Sequence, residues 1–327
     1  MTDEPTGLQN DVKHILRGLL MGAADIIPGV SGGTMALILG IYNRLVTAIS
    51  HVDRTLLGHL THRRWSDAAK HLDLRFLIAL GAGIATGIVA LGSLMHLLLE
   101  DYTQYTLAAF FGLIAASSLL VGRMIEKWTP GIVTLVALGA AVALWIVRQP
   151  ALTHPPDALW YVFVCGVIGI CAMILPGISG AFILLILGKY HDITGIIKDT
   201  LKLIITSDNV LTVFVFAAGC AIGLISFSKV LRWLLARHES QTMGVLCGFM
   251  LGSLWKIWPF QRDLTPGEEK FKLKQFEHLS LSEVPIDVTF AVTIGIAIAA
   301  VLFVLILDRM THGHDIVPLQ DQPTDSE

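Results

Sequence analysis

Long apolar stretches separated by short polar segments make up most of the chain. Two of them, Phe76–Met95 and Val288–Leu307, contain no Asp, Glu, Lys or Arg. They approach the roughly 20 residues that a helix needs to cross about 30 Å of hydrocarbon. The pattern predicts an all-α polytopic membrane protein. Three spanning helices are expected in each half of the chain, at Leu74–Leu99, Tyr105–Val121, Ile132–Val147, Val210–Leu235, Thr242–Ile257 and Val288–Leu307.

Two further apolar stretches are interrupted by almost the same hexapeptide. The first copy is Pro28–Gly33, PGVSGG, and the second is Pro176–Ala181, PGISGA. Each copy is followed at the same distance by Leu-Gly-X-Tyr, and Gly83–Ser118 aligns without a gap on Gly219–Leu254. We infer an internal duplication, with repeats at 15–148 and 160–308. A polar segment at 1–14 precedes the repeats and a polar tail at 309–327 follows them.

Proline and glycines break each of these two stretches in the middle. An unpaired backbone N–H group in hydrocarbon costs several kcal/mol, so a broken helix persists there only where it faces protein, water or a ligand. The pieces Ile15–Ile27 and Thr34–Ile49 predict helices of about 20 and 24 Å, each short for a crossing and together too long for one. We therefore expect a re-entrant hairpin around 28–33 and a second around 176–181.

A hairpin that enters and leaves on one side adds no crossing. Three spanning helices per repeat then make the second repeat inverted relative to the first, and the broken half-helices meet near the bilayer midplane, as in many transporters. The Lys and Arg counts on the two sides do not separate this arrangement from a single crossing, so the prediction depends on helix length. With inverted repeats, both termini are cytoplasmic.

Composition supports a membrane protein and excludes other classes. The chain is 54% hydrophobic and 15% charged, with a mean hydropathy of +0.68, which leaves too little polar surface for a soluble globule. A net charge of −3 argues against a nucleic-acid partner. The polar start without a small-residue cleavage site does not fit a removable signal peptide. The four cysteines lie in apolar segments at no metal-ligand spacing, so we predict neither a metal site nor a cofactor.

The chemistry of the breaks points to an anion. Glycines that adopt unusual backbone angles let successive N–H groups converge, with the positive end of a helix dipole behind them. Gly32 and Gly33 precede a predicted helix start at Thr34, and the hydroxyl groups of Ser31, Ser179 and Thr34 add donors. The alternative is that each motif is only a kink that allows close helix packing. Two matching copies favour a shared binding site.

The residues of the first break resemble the PopT family of polyprenyl-phosphate transporters. The resemblance is carried by Met21–Thr34 and Leu39–Tyr42, with a weaker second copy at Leu175–Gly180, and it extends over almost the whole chain. It implies return of undecaprenyl phosphate, the carrier lipid of bacterial envelope polymers, from the outer to the inner leaflet of the cytoplasmic membrane. The implied phosphate-binding residues are Pro28, Gly29, Ser31, Gly32, Gly33, Thr34, Pro176, Gly177, Ser179 and Gly180. Ala181 and Phe182 replace Gly33 and Thr34 in the second copy, so we expect unequal half-sites.

Charged residues within apolar stretches are functional candidates because their insertion is costly. Asp25 lies three residues before the first break, and Met173 occupies the equivalent position in the second repeat. The Asp25 carboxylate has two interpretations: it is a proton-coupling group or a structural partner of backbone donors. Four cations near predicted helix ends either reach to the membrane interface or capture phosphate at an entrance. They are Arg17, Arg44, Lys189 and Arg232.

Two other functions fit part of the pattern. An intramembrane polyprenyl-pyrophosphate phosphatase would have similar broken helices, but it needs an arginine beside the serine and acidic groups for phosphoryl transfer. Here glycine follows both serines, and Asp25 is the one nearby acid. A carrier for a small inorganic anion is the other alternative. Elsewhere, Gly81, Gly83, Gly87 and Gly92 predict close helix contacts, and Pro259–Pro285 predicts an extramembrane loop or short helix.

Overall fold

A computed structural model describes residues 7–25, 31–201, 206–265, 276–280 and 282–311. The described part is helical except for one small hairpin, which confirms the predicted fold class. Pro28 and Gly29 of the first break lie outside the described residues. The helices of the first half are, in order, α1 (Leu8–Asp25), α2 (Gly32–Ile38), α3 (Tyr42–Ser50), α4 (Arg54–Thr61), α5 (Trp65–His71), α6 (Leu74–Asp101), α7 (Thr103–Arg123) and α8 (Pro130–Val147).

The second half follows the same order, without equivalents of α4 and α5 among its described residues. Its helices are α9 (Leu159–Ile174), α10 (Gly180–Ile186), α11 (Tyr190–Leu201), α12 (Ser207–Arg237), α13 (Glu239–Ser253) and α14 (Val288–Thr311). Between α13 and α14, β1 (Gln261–Asp263) pairs antiparallel with β2 (Phe276–His278), and Gln261 lies opposite His278. The polar connection therefore contains a β-hairpin, where the sequence predicts a loop or a short helix.

Five helices of the described chain are long and apolar enough to cross a membrane, lying in α6, α7, α8, α12 and α14. The sixth predicted span, Thr242–Ile257, is wrong as a continuous α-helix. Helix α13 has 15 residues and ends at Ser253, and the chain continues as a 3₁₀-helix over Leu254–Ile257. Many residues of α13 are buried, among them Met243, Leu246 and Met250. Helix α13 therefore lies inside the protein, where neighbouring helices and not lipid surround it.

The first broken stretch differs from the prediction at its start and in its second part. Helix α1 begins at Leu8 and not near residue 15, and Asp11 in its first turn pairs with Arg75 at 2.7 Å on α6. The predicted helix Thr34–Ile49 is divided in two, because Gly40 adopts a φ of +67° between α2 and α3. Gly188 does the same between α10 and α11, with a φ of +72°. The repeated Leu-Gly-X-Tyr motif is thus a second break, at a backbone angle that favours glycine.

Glycines hold the first helix of each half against a spanning helix. A Cβ on Gly83 or Gly87 of α6 would lie 2.1 or 2.3 Å from a carbonyl oxygen of α1, at Ile15 or Leu19. A Cβ on the equivalent Gly219 of α12 would lie 2.3 Å from a carbonyl oxygen of α9. The prediction of close contacts is correct for Gly83 and Gly87 and wrong for Gly81 and Gly92, where a Cβ would meet nothing within 4 Å. In each pair, residues later in one helix contact residues later in the other. Helix α1 therefore runs parallel to α6, and α9 runs parallel to α12.

Helices α7 and α8 of the first half pack against α14 and α13 of the second half. A Cβ on Gly112 of α7 would lie 2.2 Å from the carbonyl oxygen of Ala297 on α14, and one on Gly248 of α13 would lie 2.3 Å from that of Val136 on α8. Gly112 and Gly248 are equivalent in the internal alignment. Contact positions again advance together, so α7 is parallel to α14 and α8 is parallel to α13. The two halves are therefore interleaved rather than placed side by side.

Candidate functional site

Short polar contacts organise the first break at the start of α2. The Gly32 amide donates a 2.6 Å hydrogen bond to Oδ1 of Asp25, the last residue of α1. Ser31 caps α2, and its hydroxyl oxygen accepts from the Gly33 amide at 3.1 Å. Asp25 thus orients a backbone donor, as one of its two predicted roles requires. Its carboxylate lies where the start of a helix favours negative charge.

The two breaks contact each other directly. Thr34, which is fully buried, accepts a 2.8 Å hydrogen bond from the Gly177 amide. In return, the Ser31 hydroxyl donates to the Leu175 carbonyl at 3.1 Å. The backbones approach so closely that a Cβ on Gly33 would lie 2.4 Å from the carbonyl oxygen of Ile174. Two motifs more than 140 residues apart in sequence therefore form one buried polar junction.

The second break contributes mainly backbone to this junction. Gly177 has a φ of +93°, and a Cβ there would lie 2.8 Å from Oγ of Ser253 on α13. Pro176 and Ser179 are buried, and Gly180 begins α10. The side chain of Ser179 makes no capping hydrogen bond, unlike that of Ser31. The expectation of unequal half-sites therefore agrees with the geometry.

The predicted nest of converging, unpaired amides is not what the structure contains. The amides of Gly32, Gly33 and Gly177 each donate to a side-chain oxygen of the chain itself. A buried donor left unsatisfied costs about 1–3 kcal/mol, which explains why Asp25, Ser31 and Thr34 pair with these groups. An anion that bound here would have to exchange with those side chains. The junction is therefore a satisfied polar network whose partners can be replaced, not a preformed empty cradle.

Tyr42 belongs to the junction although the sequence indicated it only as a repeat marker. Its hydroxyl donates to the Ile174 carbonyl at 3.2 Å, and its side chain is buried. The signal that would have found it is the repeated Leu-Gly-X-Tyr motif at a fixed distance from each break. In the first copy, this distance places the Tyr42 hydroxyl within reach of the second break.

The predicted phosphate-entry cations Arg44, Lys189 and Arg232 contact polar side chains of the protein. The Arg44 guanidinium binds Asp73 at 2.7 Å, and the buried Lys189 ammonium lies 2.9 Å from Asp157 and 2.8 Å from Asp192. Arg232 donates to the Ser50 hydroxyl at 3.2 Å. Arg17 is partly exposed on α1. Arg44, Lys189 and Arg232 join separate segments near helix ends, and the role of all four cations in phosphate capture stays a prediction.

Polar contacts also show where the chain lies after each break. Arg44 of α3 lies 3.3 Å from Nε2 of His14 on α1 and binds Asp73 just before α6. In the second half, the hydroxyl of Tyr161 on α9 donates to the Leu187 carbonyl after α10. In each half, the chain after the break therefore contacts the helix before the break. Within the described residues, no group of three His, Cys, Asp or Glu side chains could hold a metal ion.

A polytopic helical protein with two broken stretches joined at a buried polar junction has the architecture of a membrane transporter. Comparison with known proteins identifies which transporter class this is. The family described as undecaprenyl phosphate translocase-like matches residues 21–272, and the chain belongs to that family.

Two relatives carry the name polyprenyl-phosphate transporter. The protein from Vibrio cholerae is 38% identical over 309 residues, which cover 92% of this chain and 97% of the relative. The protein from Staphylococcus aureus is 31% identical over 257 residues, which cover 75% and 86%. No solved structure matches. The family is one of transporters, which supports a transporter over the phosphatase alternative.

Proposed function

We propose that this protein returns a polyprenyl phosphate such as undecaprenyl phosphate from the outer to the inner leaflet of the bacterial cytoplasmic membrane. Membership of the family and the names of both relatives support the substrate class. The observation that carries the proposal is the buried junction, where the Gly177 amide meets Thr34 and the Ser31 hydroxyl meets Leu175. Burying polar groups within a membrane protein costs free energy. A phosphate head group that passes the junction would accept hydrogen bonds from these groups.

The proposed topology is the inverted one. If consecutive spanning helices cross in opposite directions, α6 and α8 run one way and α7 runs the other. The parallel pairs α8 with α13 and α7 with α14 then orient the second half, so that α12 and the parallel α9 run opposite to α6 and α1. The return of Arg44 to His14 and Asp73 supports a hairpin that adds no crossing. Both termini are then on the cytoplasmic side.

The proposed step at the junction is an exchange of partners. The phosphate takes the amides that now bind Ser31 and Thr34, since charge-assisted hydrogen bonds are roughly twice as strong as neutral ones, and it takes the Gly32 amide once Asp25 is protonated. A carboxylate next to a phosphate repels it unless the acid takes up a proton. Proton uptake by Asp25 therefore accompanies phosphate entry, and proton release accompanies exit.

The test uses the purified protein in vesicles that contain polyprenyl phosphate. A membrane-impermeant protein that binds the lipid phosphate reports how much remains on the outer surface. Active vesicles should lose outer signal faster than vesicles without protein. Equal rates, together with flux of inorganic phosphate, would favour the small-anion carrier and overturn this proposal.

The topology is tested by labelling of single cysteines in a chain whose four native cysteines are replaced. Thr153→Cys and Asp208→Cys lie before and after the second broken stretch and should react from the same side of the membrane. His62→Cys should react from the opposite side. Labelling of Thr153→Cys and Asp208→Cys from opposite sides would show that the stretch crosses the membrane and would overturn the inverted arrangement.

A further inference from the structure

Two cations lie over aromatic rings just beyond the ends of α8 and α13. The Arg148 guanidinium lies 4.5 Å from the centroid of the Trp255 ring, and the His278 ring stacks on Trp255 with centroids 4.7 Å apart. The next residue, Lys256, places its ammonium 4.5 Å from the Phe182 ring centroid. We call Arg148, Trp255, Lys256 and His278 the Trp255 cluster. It is separate from the junction of the breaks and from the four cations indicated by the sequence.

Three separate segments build this cluster. Helices α8 and α13 are parallel, so Arg148 after α8 and Lys256 after α13 emerge at the same side. The β-hairpin adds His278, whose Nε2 lies 2.7 Å from the Trp255 carbonyl oxygen. Gln261 on the paired strand donates to the Lys256 carbonyl at 3.2 Å. The hairpin therefore fixes the 3₁₀ segment and holds the cations in place.

Arg148 and Lys256 give the cluster its positive charge, and burial lowers the pKa of Lys256. Among the described residues, no carboxylate forms an ion pair with Arg148 or Lys256. Arg44 and Lys189, by contrast, both bind aspartates. Burial lowers the pKa of His278, and the charges of Lys256 and Arg148 lower it further against the hydrogen bond to the Trp255 carbonyl. The local field is therefore positive and favours an anion.

The cluster also leads to the second break. Phe182, under the Lys256 ammonium, belongs to α10, which begins at Gly180. Ser253, at the end of α13, lies against Gly177, where a Cβ would be 2.8 Å from its Oγ. Arg148 is exposed at the surface and Lys256 is partly covered. A phosphate moving from Arg148 to Lys256 would therefore arrive beside the second break.

We propose that the Trp255 cluster captures the phosphate monoester of the lipid substrate at the face where α8 and α13 end, and that Lys256 delivers it to the second break. This inference rests on the proposed function. Lysine binds phosphate as a point charge and arginine binds it through a planar fork. Trp255, which is 39% exposed, provides apolar surface at a level where aromatic side chains favour the membrane interface. In the inverted arrangement this is the outer face, where the lipid would enter.

The experiment measures binding of polyprenyl phosphate to purified protein in nanodiscs, with inorganic phosphate as a second ligand. Lys256→Met keeps the aliphatic packing on Phe182 and removes the charge, so affinity for the lipid should fall by at least about tenfold. Lys256→Arg should restore most of it. Arg148→Gln, at an exposed position that does not endanger the fold, should weaken binding less and reduce its salt dependence.

Arg262→Gln is the matched control, because Arg262 lies on β1 of the same hairpin but faces Glu277 at 3.9 Å. It should bind the lipid as the unchanged protein does. Equal affinity of Lys256→Met and the unchanged protein would overturn this inference and leave the transport proposal standing. Failure of the unchanged protein to bind the lipid would overturn both. Equal loss of lipid and inorganic phosphate binding assigns the cluster to the head group, whereas loss of lipid binding alone would contradict a phosphate contact.

Discussion

The two breaks share a sequence motif but differ in charge. The first carries an acid, since Asp25 accepts from the Gly32 amide at 2.6 Å. The second has Met173 at the equivalent position and a base nearby, since Lys256 lies 4.5 Å from the Phe182 ring. On the proposed mechanism, a phosphate is attracted to the second break and repelled by the first. The two copies share a motif, and a few side chains make them differ in charge.

The largest effect is expected from Gly33→Ala, which would separate the breaks. A Cβ at Gly33 would lie 2.4 Å from the Ile174 carbonyl oxygen, and backbone on both sides leaves little room for adjustment. We expect loss of transport and a fall in the free energy of unfolding of about 1–3 kcal/mol. Thermal unfolding in detergent and transport in vesicles measure the two effects.

Gly58→Ala is the control for that substitution, because a Cβ there would meet nothing within 4 Å. It should leave transport unchanged and, because alanine is favoured over glycine inside α4, should not lower the free energy of unfolding. If Gly33→Ala behaved like Gly58→Ala, the close contact between the breaks would not be needed for transport.

Next in size is Asp25→Asn, which removes the charge of the first break and keeps an oxygen for the Gly32 amide. We expect binding of the lipid phosphate to be retained or tightened, because repulsion is removed. Transport should fall by about tenfold or more, as expected when a proton-carrying group is lost. The transport that remains should no longer depend on pH between about pH 5.5 and 8.

Both quantities should be measured on one preparation. Asp25→Ala serves as the comparison, because it also removes the acceptor of the Gly32 amide and should lower stability as well. Normal transport by Asp25→Asn with an unchanged pH profile would make Asp25 purely structural.

A moderate effect is expected from Thr34→Val, which leaves the Gly177 amide without its acceptor. Thr34 is fully buried, so the free energy of unfolding should fall by about 1–3 kcal/mol. Thr34→Ser keeps the hydroxyl and should retain most of the stability. Chemical or thermal unfolding distinguishes the two variants, and equal stability would mean that the bond between the breaks contributes nothing.

The smallest effect is expected at Ser31 and Ser179, where alanine substitutions should change stability unequally. Ser31→Ala removes the cap of α2 and should lower the free energy of unfolding by about 1 kcal/mol, whereas Ser179→Ala removes no capping bond and should change it little. Combined, the two substitutions should weaken lipid-phosphate binding. Unchanged affinity of the double variant would remove both hydroxyls from the site. Equal destabilisation by the two single substitutions would contradict the asymmetry of the breaks.

The sequence predicted an all-α membrane protein because long apolar stretches are a strong, local signal. It indicated the two breaks, and the structure adds that Thr34 and Gly177 meet. It did not predict the division at Gly40, since a single glycine between apolar residues is compatible with a continuous helix. It also missed Lys256, because a lysine at the end of an apolar segment usually reaches to the interface. Packing between distant segments decides which cations have acidic partners. The periodicity of apolar residues does not encode that packing.

The interleaving of the halves has a consequence for how the chain is made. Helix α7 leaves the ribosome early, but Gly112 receives its partner Ala297 only when α14, the last helix of the described residues, has been synthesised. Until then, the small residues on α7 face lipid or another protein. Insertion of the early helices therefore cannot complete the fold, and a chain truncated before α14 should be a substrate for membrane proteases.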